Sequence, residues 1–352
     1  MYNDGGSKAR SYNGMSQLIL QNKYVIGVHV MWFEIEMFED YCKALTNTLN
    51  TVENQQNITI DICFNMTEVL EKIDDDKVTP EQLVNKFKEI YDMFKVLNGS
   101  GPRHQLRITN KDDFYFHADY RRDLNYNYCK EVDYVLWGET DSFFPKETFQ
   151  VIEALSKYTN ENNIHRYLLS FSDRKMWDSS WDPLVHNDYV DIEFVDDEDG
   201  HLNPNQAKSP MSIKRMNKIN ARAKEFDFSY IQKPKISGAC LVLSSDLIKA
   251  GVNVPPCLVY NDDEGLSVMS EKLMGQNFIQ FVVKNILHVH ARRHPKKRMY
   301  VKGEDNPYSF INQKNTNFQD LLNLSRQNIQ TLITGQGKFK EYSDLEKILE
   351  SK

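Results

Sequence analysis

Two apolar runs of strand length bracket a stretch with helical spacing near the start of the sequence, and this limits the fold more than any other feature. Tyr24 to Met31 (YVIGVHVM) and Asn57 to Phe64 (NITIDICF) are rich in β-branched residues and read as strands. Between them, residues 34–50 place Phe38, Tyr41, Leu45 and Leu49 along one face of a helix. A strand, a helix and a strand at this spacing form a βαβ unit, with parallel strands and a right-handed crossover. A parallel sheet needs cover on both faces, so the class expected is α/β.

The rest of the chain continues the pattern. Thr67 to Ile73 reads as helical and Asp74-Asp-Asp76 as a solvated turn. Thr79-Pro-Glu-Gln82 combines a capping threonine, a proline at the first helical position and a glutamine three after the cap, so a helix is expected to about Leu97. Leu106 to Thr109 reads as a weak strand. Asp119 to Cys129 reads as a helix carrying or flanking Arg121, Arg122 and Asn125. Val132 to Trp137 reads as a strand buried on both faces and ended by Gly138. A helix follows to Leu155, with Pro145 in its first turn. Further strands are expected at Tyr167–Phe171, Tyr189–Val195, Ile236–Leu243, Phe278–Val283 and Ile286–His290. Helical segments are expected at Ser209–Lys224, Asp246–Ala250 and Leu266–Met274, with two more beyond Thr316. Residues 172–230 are the least regular part, an insertion of the kind that serves as a lid or a mobile segment, and Asp196-Asp-Glu-Asp-Gly200 is a loop of like charge.

Charge and composition exclude some classes of function. A net charge of −7 argues against a protein that coats nucleic acid as a whole, although a local basic patch could still meet phosphate. No apolar run is long enough to span a bilayer. Residues 1–23 are polar, read as a flexible tail, and lack the apolar core of a secretory signal, so a cytoplasmic location is expected. The five cysteines are scattered without a C-x-x-C pair and read as buried free thiols.

The chemistry concentrates in three places. Glu139 and Asp141 stand one residue apart after the Val132–Trp137 run; side chains at i and i+2 of an extended chain point the same way. Two carboxylates would leave the end of a central strand together, where open α/β sheets bind ligands. Such a pair suits manganese or magnesium, although acid-x-acid after a strand also serves turns and helix caps. The second place is Asn261-Asp-Asp-Glu264 at a helix start, where acids also favour the helix dipole. The third is His288-Val-His290, followed by Arg292, Arg293, Lys296, Lys297 and Arg298, which read either as a cover for a diphosphate or as a solvated loop. Trp177 and Trp181 lie in the irregular insertion, where they could stack on a sugar ring or pack in the core; Trp137 belongs to the core.

In this order the motifs resemble the glycosyltransferases of the GT-A fold, in particular the large family-two group. The parts are Tyr24–Phe64, Glu139-Thr-Asp141, Ser237-Gly-Ala-Cys-Leu-Val-Leu243, Asp262-Asp263 and His288/His290. The resemblance covers residues 24–300, with residues 1–23 as a tail and 301–352 as a C-terminal helical extension. It implies a Rossmann-like, mixed and mostly parallel sheet flanked by helices, and transfer of a sugar from a nucleotide-diphosphate sugar to an acceptor hydroxyl, with inversion. It implies Asp141 as the firmer metal ligand, Glu139 as the second, His288 or His290 to complete the shell, Asp263 as base and Asp262 to position the acceptor. Asn65, Arg122, Arg292 and Arg293 are donor-binding candidates. Three departures stand out: the metal motif begins with Glu, Asn65 replaces the usual acid after the second strand, and the insertion at 172–230 is long.

The acceptor is open among a glycan, a protein side chain and a hydroxylated DNA base. A nucleotidyltransferase would need a glycine-rich phosphate loop after the first strand, which Val28-His-Val-Met-Trp-Phe33 lacks. A non-catalytic sugar-nucleotide-binding relative is the third reading.

Overall fold

The computed structural model describes residues 7–10, 17–99, 101–176, 178–192, 212–290, 296–303 and 316–344. The strands are β1 (Ser7–Arg10), β2 (Tyr24–Met31), β3 (Ile58–Asn65), β4 (Arg103–Ile108), β5 (Tyr134–Glu139), β6 (Ser142–Phe143), β7 (Leu168–Ser172), β8 (Glu225–Ile231), β9 (Leu241–Ser244), β10 (Gln280–Leu287) and β11 (Val289–His290). The helices are α1 (Ile35–Leu49), α2 (Pro80–Asn98), α3 (His117–Tyr128), α4 (Thr148–Glu161), α5 (Ile213–Asn220), α6 (Ser245–Lys249), α7 (Asp262–Met274) and α8 (Thr316–Thr334).

Among the described residues, nine strands form one sheet in the order β1-β8-β10-β7-β9-β5-β2-β3-β4. β2 pairs in parallel with β3 and β5, β3 with β4, and β10 with β7. β8 and β9 run against their neighbours. The sheet is therefore mixed and mostly parallel, as the opening βαβ unit requires. β2, β3, β5, β7 and β10 all end at the same edge, and β9 begins there, so the loops at that edge gather residues from distant parts of the chain.

Helices cover both faces. On one, the apolar stripe of α1 packs with α2 and α4; Phe87 of α2 stacks on Phe38 at 5.0 Å and on Phe64 of β3 at 4.3 Å. On the other, α3, α6 and α7 cover Val25, Val135, Trp137 and Leu243. Phe87 is fully buried between helix and sheet, so Phe87→Ala should lower stability by about 3–5 kcal/mol, read from the denaturation midpoint. All five cysteines are buried and free. The capping box predicted at Thr79 and Gln82 is formed, with Pro80 opening α2.

Several local expectations are corrected. Thr67–Ile73 is not helical: the Asn65 side chain accepts from Thr67 N at 2.9 Å, Thr67 Oγ1 donates to Asp113 O at 2.6 Å, and Glu68 N donates to Lys111 O, so local and cross-chain partners take the groups a helix would use. Gly138 does not end its strand; it pairs with Val28 and lets α1 approach, since a Cβ there would lie 2.2 Å from the Tyr41 hydroxyl. The strand expected from Ile236 starts only at Leu241. Tyr189 ends a 3-10 turn at Asn187–Tyr189 capped by His186; 193–195 lie outside the described residues. The last two strands join as β10, with a register shift between Val283 and Leu287. β8 was not anticipated, and the tail over 1–23 contributes the edge strand β1, antiparallel to β8. α7 begins at Asp262, four residues before the expected start. Residues 345–352, where the second C-terminal helical stretch would continue, lie outside the described residues.

Candidate active site

A cavity of about 430 Å³ opens at the shared carboxyl edge of the sheet. Its wall includes His29 and Met31 of β2, Glu34 just beyond it, Glu139 at the end of β5 and Asp141 after it, Gly238 before β9, Asp262 and Asp263 at the start of α7, and His290 after β10. Phe318, Leu322 and Arg326 of α8 line it too, so the C-terminal extension is part of the wall. Asp196–Gly200 and Trp177 of the insertion lie outside the described residues. Trp181 is not in the cavity wall; Lys235 sits over its ring at 4.6 Å.

The two acids of the motif turn to one side. His290 bridges them, with Nε2 3.3 Å from Glu139 Oε2 and 3.5 Å from Asp141 Oδ1. A short pairing sets this position: β11 runs antiparallel to β6, with His290 opposite Ser142. His288 points elsewhere. It is buried, with Nε2 3.7 Å from Asp173 Oδ2, and is not part of the cavity wall. Of the two imidazoles the sequence left open, His290 is the one that meets both acids.

Arg121 ties this group to the acid pair on α7. The buried guanidinium donates to Glu139 Oε1 at 2.6 Å, to Asp262 Oδ2 and to the Gly238 carbonyl at 2.8 Å, and lies over the Trp137 ring at 4.5 Å. Only glycine fits at 238, where a Cβ would come within 2.1 Å of Arg121 Nη1. Asp262 is thus held in a buried ion pair, while Asp263 lines the cavity and accepts from Glu264 N at 2.8 Å. Glu264, at the exposed rim, accepts from the Asn261 side chain.

Of the basic run, Lys297 and Arg298 are turned inward, while Lys296 is exposed. Lys297 Nζ lies 2.8 Å from Asp141 Oδ2 and 2.9 Å from Glu34 Oε1. Arg298 pairs with Glu71 at 2.5 Å. Arg292 and Arg293 lie outside the described residues. Arg122 does not line the cavity; it pairs with Asp119 at 2.9 Å and Asp123 at 3.2 Å. Asn65 is buried behind His29, donating to His29 Nε2 at 2.9 Å and to Tyr115 O at 2.7 Å, so a structural network uses its amide.

The electrostatics follow from these contacts. Burial alone would raise the Glu139 carboxyl, but Arg121, with the His117 and His290 rings beside it, holds it well below the usual range. Burial likewise opposes the Asp141 charge, and Lys297 and His290 outweigh it, so that carboxyl is lowered too. His290 is raised to about 9: burial disfavours its charge, but Asp141 and Glu139 favour it more strongly. Asp263 moves the other way, pushed up to about 7 by burial and by the charge of Asp262. One cavity therefore holds two strongly ionised carboxylates and a third that titrates near neutrality, a separation that marks acid–base chemistry.

Glu139, Asp141 and His290 offer two carboxylate oxygens and one imidazole nitrogen within 4.8 Å of one another. Oxygen donors with one imidazole suit manganese, and magnesium less closely. His290 Nδ1 is buried without a hydrogen-bond partner, which leaves the ring's far side unused. The set fits a divalent ion, which would displace the His290 proton on binding. Asp173, His288 and His290 form a second group at the same spacing, deeper and sharing His290.

Sequence reasoning missed Glu34, His29 and His117. Glu34 follows β2 directly and accepts from Thr140 Oγ1 at 2.7 Å, so the middle residue of the acid-x-acid motif fixes it. His29 Nδ1 lies 3.1 Å from His117 Nδ1. A clue was present for Glu34 alone, as an acid at the carboxyl end of the first strand.

No protein-family model matches the sequence, and no curated protein does. Similar backbones occur in solved structures. TarS 1–349 from S. aureus in complex with UDP-GlcNAc is 9% identical, with 89% of this chain and 71% of that chain covered and a TM-score of 0.40. A second TarS 1–349 structure is 10% identical, covering 89% and 72%, with a TM-score of 0.39. Core-mannan synthase A from Aspergillus fumigatus, in its Mn/GDP form, is 11% identical, covering 68% and 63%, with a TM-score of 0.26.

Proposed function

We propose that the chain is a metal-dependent glycosyltransferase that moves a sugar from a nucleotide-diphosphate sugar to an acceptor hydroxyl, with inversion at the sugar's C1. The observation that carries this reading is the meeting, in one cavity, of the Glu139, Asp141 and His290 donor set with the separately placed Asp263 carboxylate. Residues 24–300 would form the transferase unit, with α8 closing one side of the cavity.

The roles follow from the chemistry. The nucleoside diphosphate leaves the sugar's C1 as the C1–O bond breaks, and negative charge grows on its oxygens. A divalent ion held by Asp141, Glu139 and His290 would supply the neutralising charge. Asp263 accepts the proton of the acceptor hydroxyl as its oxygen attacks C1 from the face opposite the leaving group. Arg121 holds Asp262 and Glu139, and so keeps the two halves of the site in register. The sequence also left open an acceptor in DNA, on the strength of a local basic cluster. Lys297 and Arg298 are buried in ion pairs with Asp141, Glu34 and Glu71 rather than turned to the surface where a DNA backbone would meet them, and the acceptor stays open among a glycan, a protein and DNA. Among the described residues no helix is long and apolar enough to cross a membrane.

The test is incubation with a panel of nucleotide sugars and manganese, reading nucleoside diphosphate release. Release with at least one donor, abolished by a chelator, is the expected result. Pyrophosphate release would replace this reading with nucleotidyl transfer; binding without turnover would replace it with a non-catalytic role. The pH profile adds an independent check. Asp263 acts as a base only when ionised, so turnover should rise with pH through a midpoint of about 7 and fall about tenfold per unit well below it.

A further inference from the structure

Lys297 places a buried ammonium among the acids that would receive the metal ion. Its Nζ is 2.8 Å from Asp141 Oδ2 and 2.9 Å from Glu34 Oε1, and the residue is only 8% exposed. Asp141 is thus shared: Oδ1 faces His290 and Oδ2 faces the lysine. The surrounding backbone is pinned. Arg298 N donates to Phe33 O at 2.8 Å, Lys302 N to Lys72 O at 2.9 Å, and Asp74 N to Tyr300 O at 2.8 Å. Arg298 itself is held at φ 73, a left-handed conformation that a non-glycine residue keeps only where its surroundings enforce it. The backbone is therefore fixed, and the freedom to move lies in the lysine's four-carbon stem.

A charge count says what that freedom is for. Glu34, Glu139, Asp141 and Asp262 bring four carboxylates, and Lys297 and Arg121 are the cations placed among them. With Lys297 in place, Asp141 already has a counter-charge before any ion enters. A divalent ion arriving alone would face an ammonium bonded to one of its own ligands. An ion arriving with a diphosphate brings the anion that the ammonium can turn to.

Resting on the glycosyltransferase reading above, we infer that Lys297 is a resident counter-ion: its ammonium holds Asp141 and Glu34 until a divalent ion binds, and then passes to the donor's diphosphate. Metal and donor are thereby coupled, each binding better when the other is present.

The test measures binding, not turnover, in Lys297→Met and in Lys297→Gln, the second keeping a hydrogen-bond donor in case the first fails to fold. The probes are manganese alone, followed by electron paramagnetic resonance, and radiolabelled inorganic pyrophosphate with manganese, followed by equilibrium dialysis. The expected result is a crossing of signs. Manganese alone binds at least about tenfold more tightly to the variants, and manganese pyrophosphate about tenfold more weakly. Unchanged or weaker binding of manganese alone would overturn the proposal. So would stronger manganese binding with pyrophosphate affinity unchanged, which would mean that the lysine stays on Asp141. If manganese bound neither wild type nor variants, the metal site itself would fall; if it bound all of them alike, only the role of Lys297 would.

Discussion

Asp263→Asn lowers turnover by about a thousandfold while donor and manganese binding stay within about twofold, the range expected when a general base is removed and nothing else. Asparagine keeps the shape of the carboxylate, and its oxygen can still accept from Glu264 N. It does not touch the Arg121 bridge, which runs to Asp262. What is lost is the group that takes a proton. Stability supplies the control. The folded-state pKa of about 7 lies above the ordinary carboxylate value near 3.9, so the ionised group weakens the fold as pH rises from about 4 through 7. Asp263→Asn removes that penalty. The variant should melt no lower than wild type at pH 8 and show a smaller loss of stability between pH 5 and 8. Full activity in the variant would transfer the role of base to another residue, with Glu264 at the rim the next carboxylate to test.

How far the sequence could be read depended on whether the signal was local. The strands β2, β3 and β5 are continuous apolar runs because both their faces are covered, and such runs announce themselves. α2 carried its start signal in four residues. The segment 67–73 misled because its polar backbone groups find partners in residues 111–113, which no local pattern reveals. The site divides in the same way. Glu139, Asp141 and Asp263 could be singled out as candidates by the order of their motifs along the chain, although acids at strand and helix ends are common taken singly. The choice of His290 over His288 was not legible, since both share one strand spacing; it depended on a two-residue pairing between β11 and β6. Lys297 could be seen only as one of a basic run. Its turn inward to Asp141 is a contact across 156 positions, and the charge it answers includes Glu34, which carries no motif.

Asp141→Asn abolishes manganese-dependent turnover and weakens manganese binding by at least about a hundredfold, because an amide replaces a carboxylate that would hold the ion directly. Both oxygens are engaged, one by His290 and one by Lys297, and the residue is 4% exposed. The Asp141 carboxyl is lowered by these partners against the opposing effect of burial, so its contribution to folding is present at neutral pH and is lost only as pH falls below the ordinary carboxylate range. At pH 7 the substitution therefore also removes a stabilising charge. Lys297 keeps Glu34 at 2.9 Å, which limits the loss to about 1–3 kcal/mol rather than the larger figure for a wholly orphaned ion. Glu139→Gln should weaken manganese binding less, because Glu139 is more exposed and shares its charge with Arg121. The ordering of the two variants separates a metal site from a structural ion pair. If Asp141→Asn lost stability alone, with manganese binding and turnover intact, Asp141 would be only the anchor of Lys297, and Glu139 with His290 would have to find a third ligand elsewhere in the cavity.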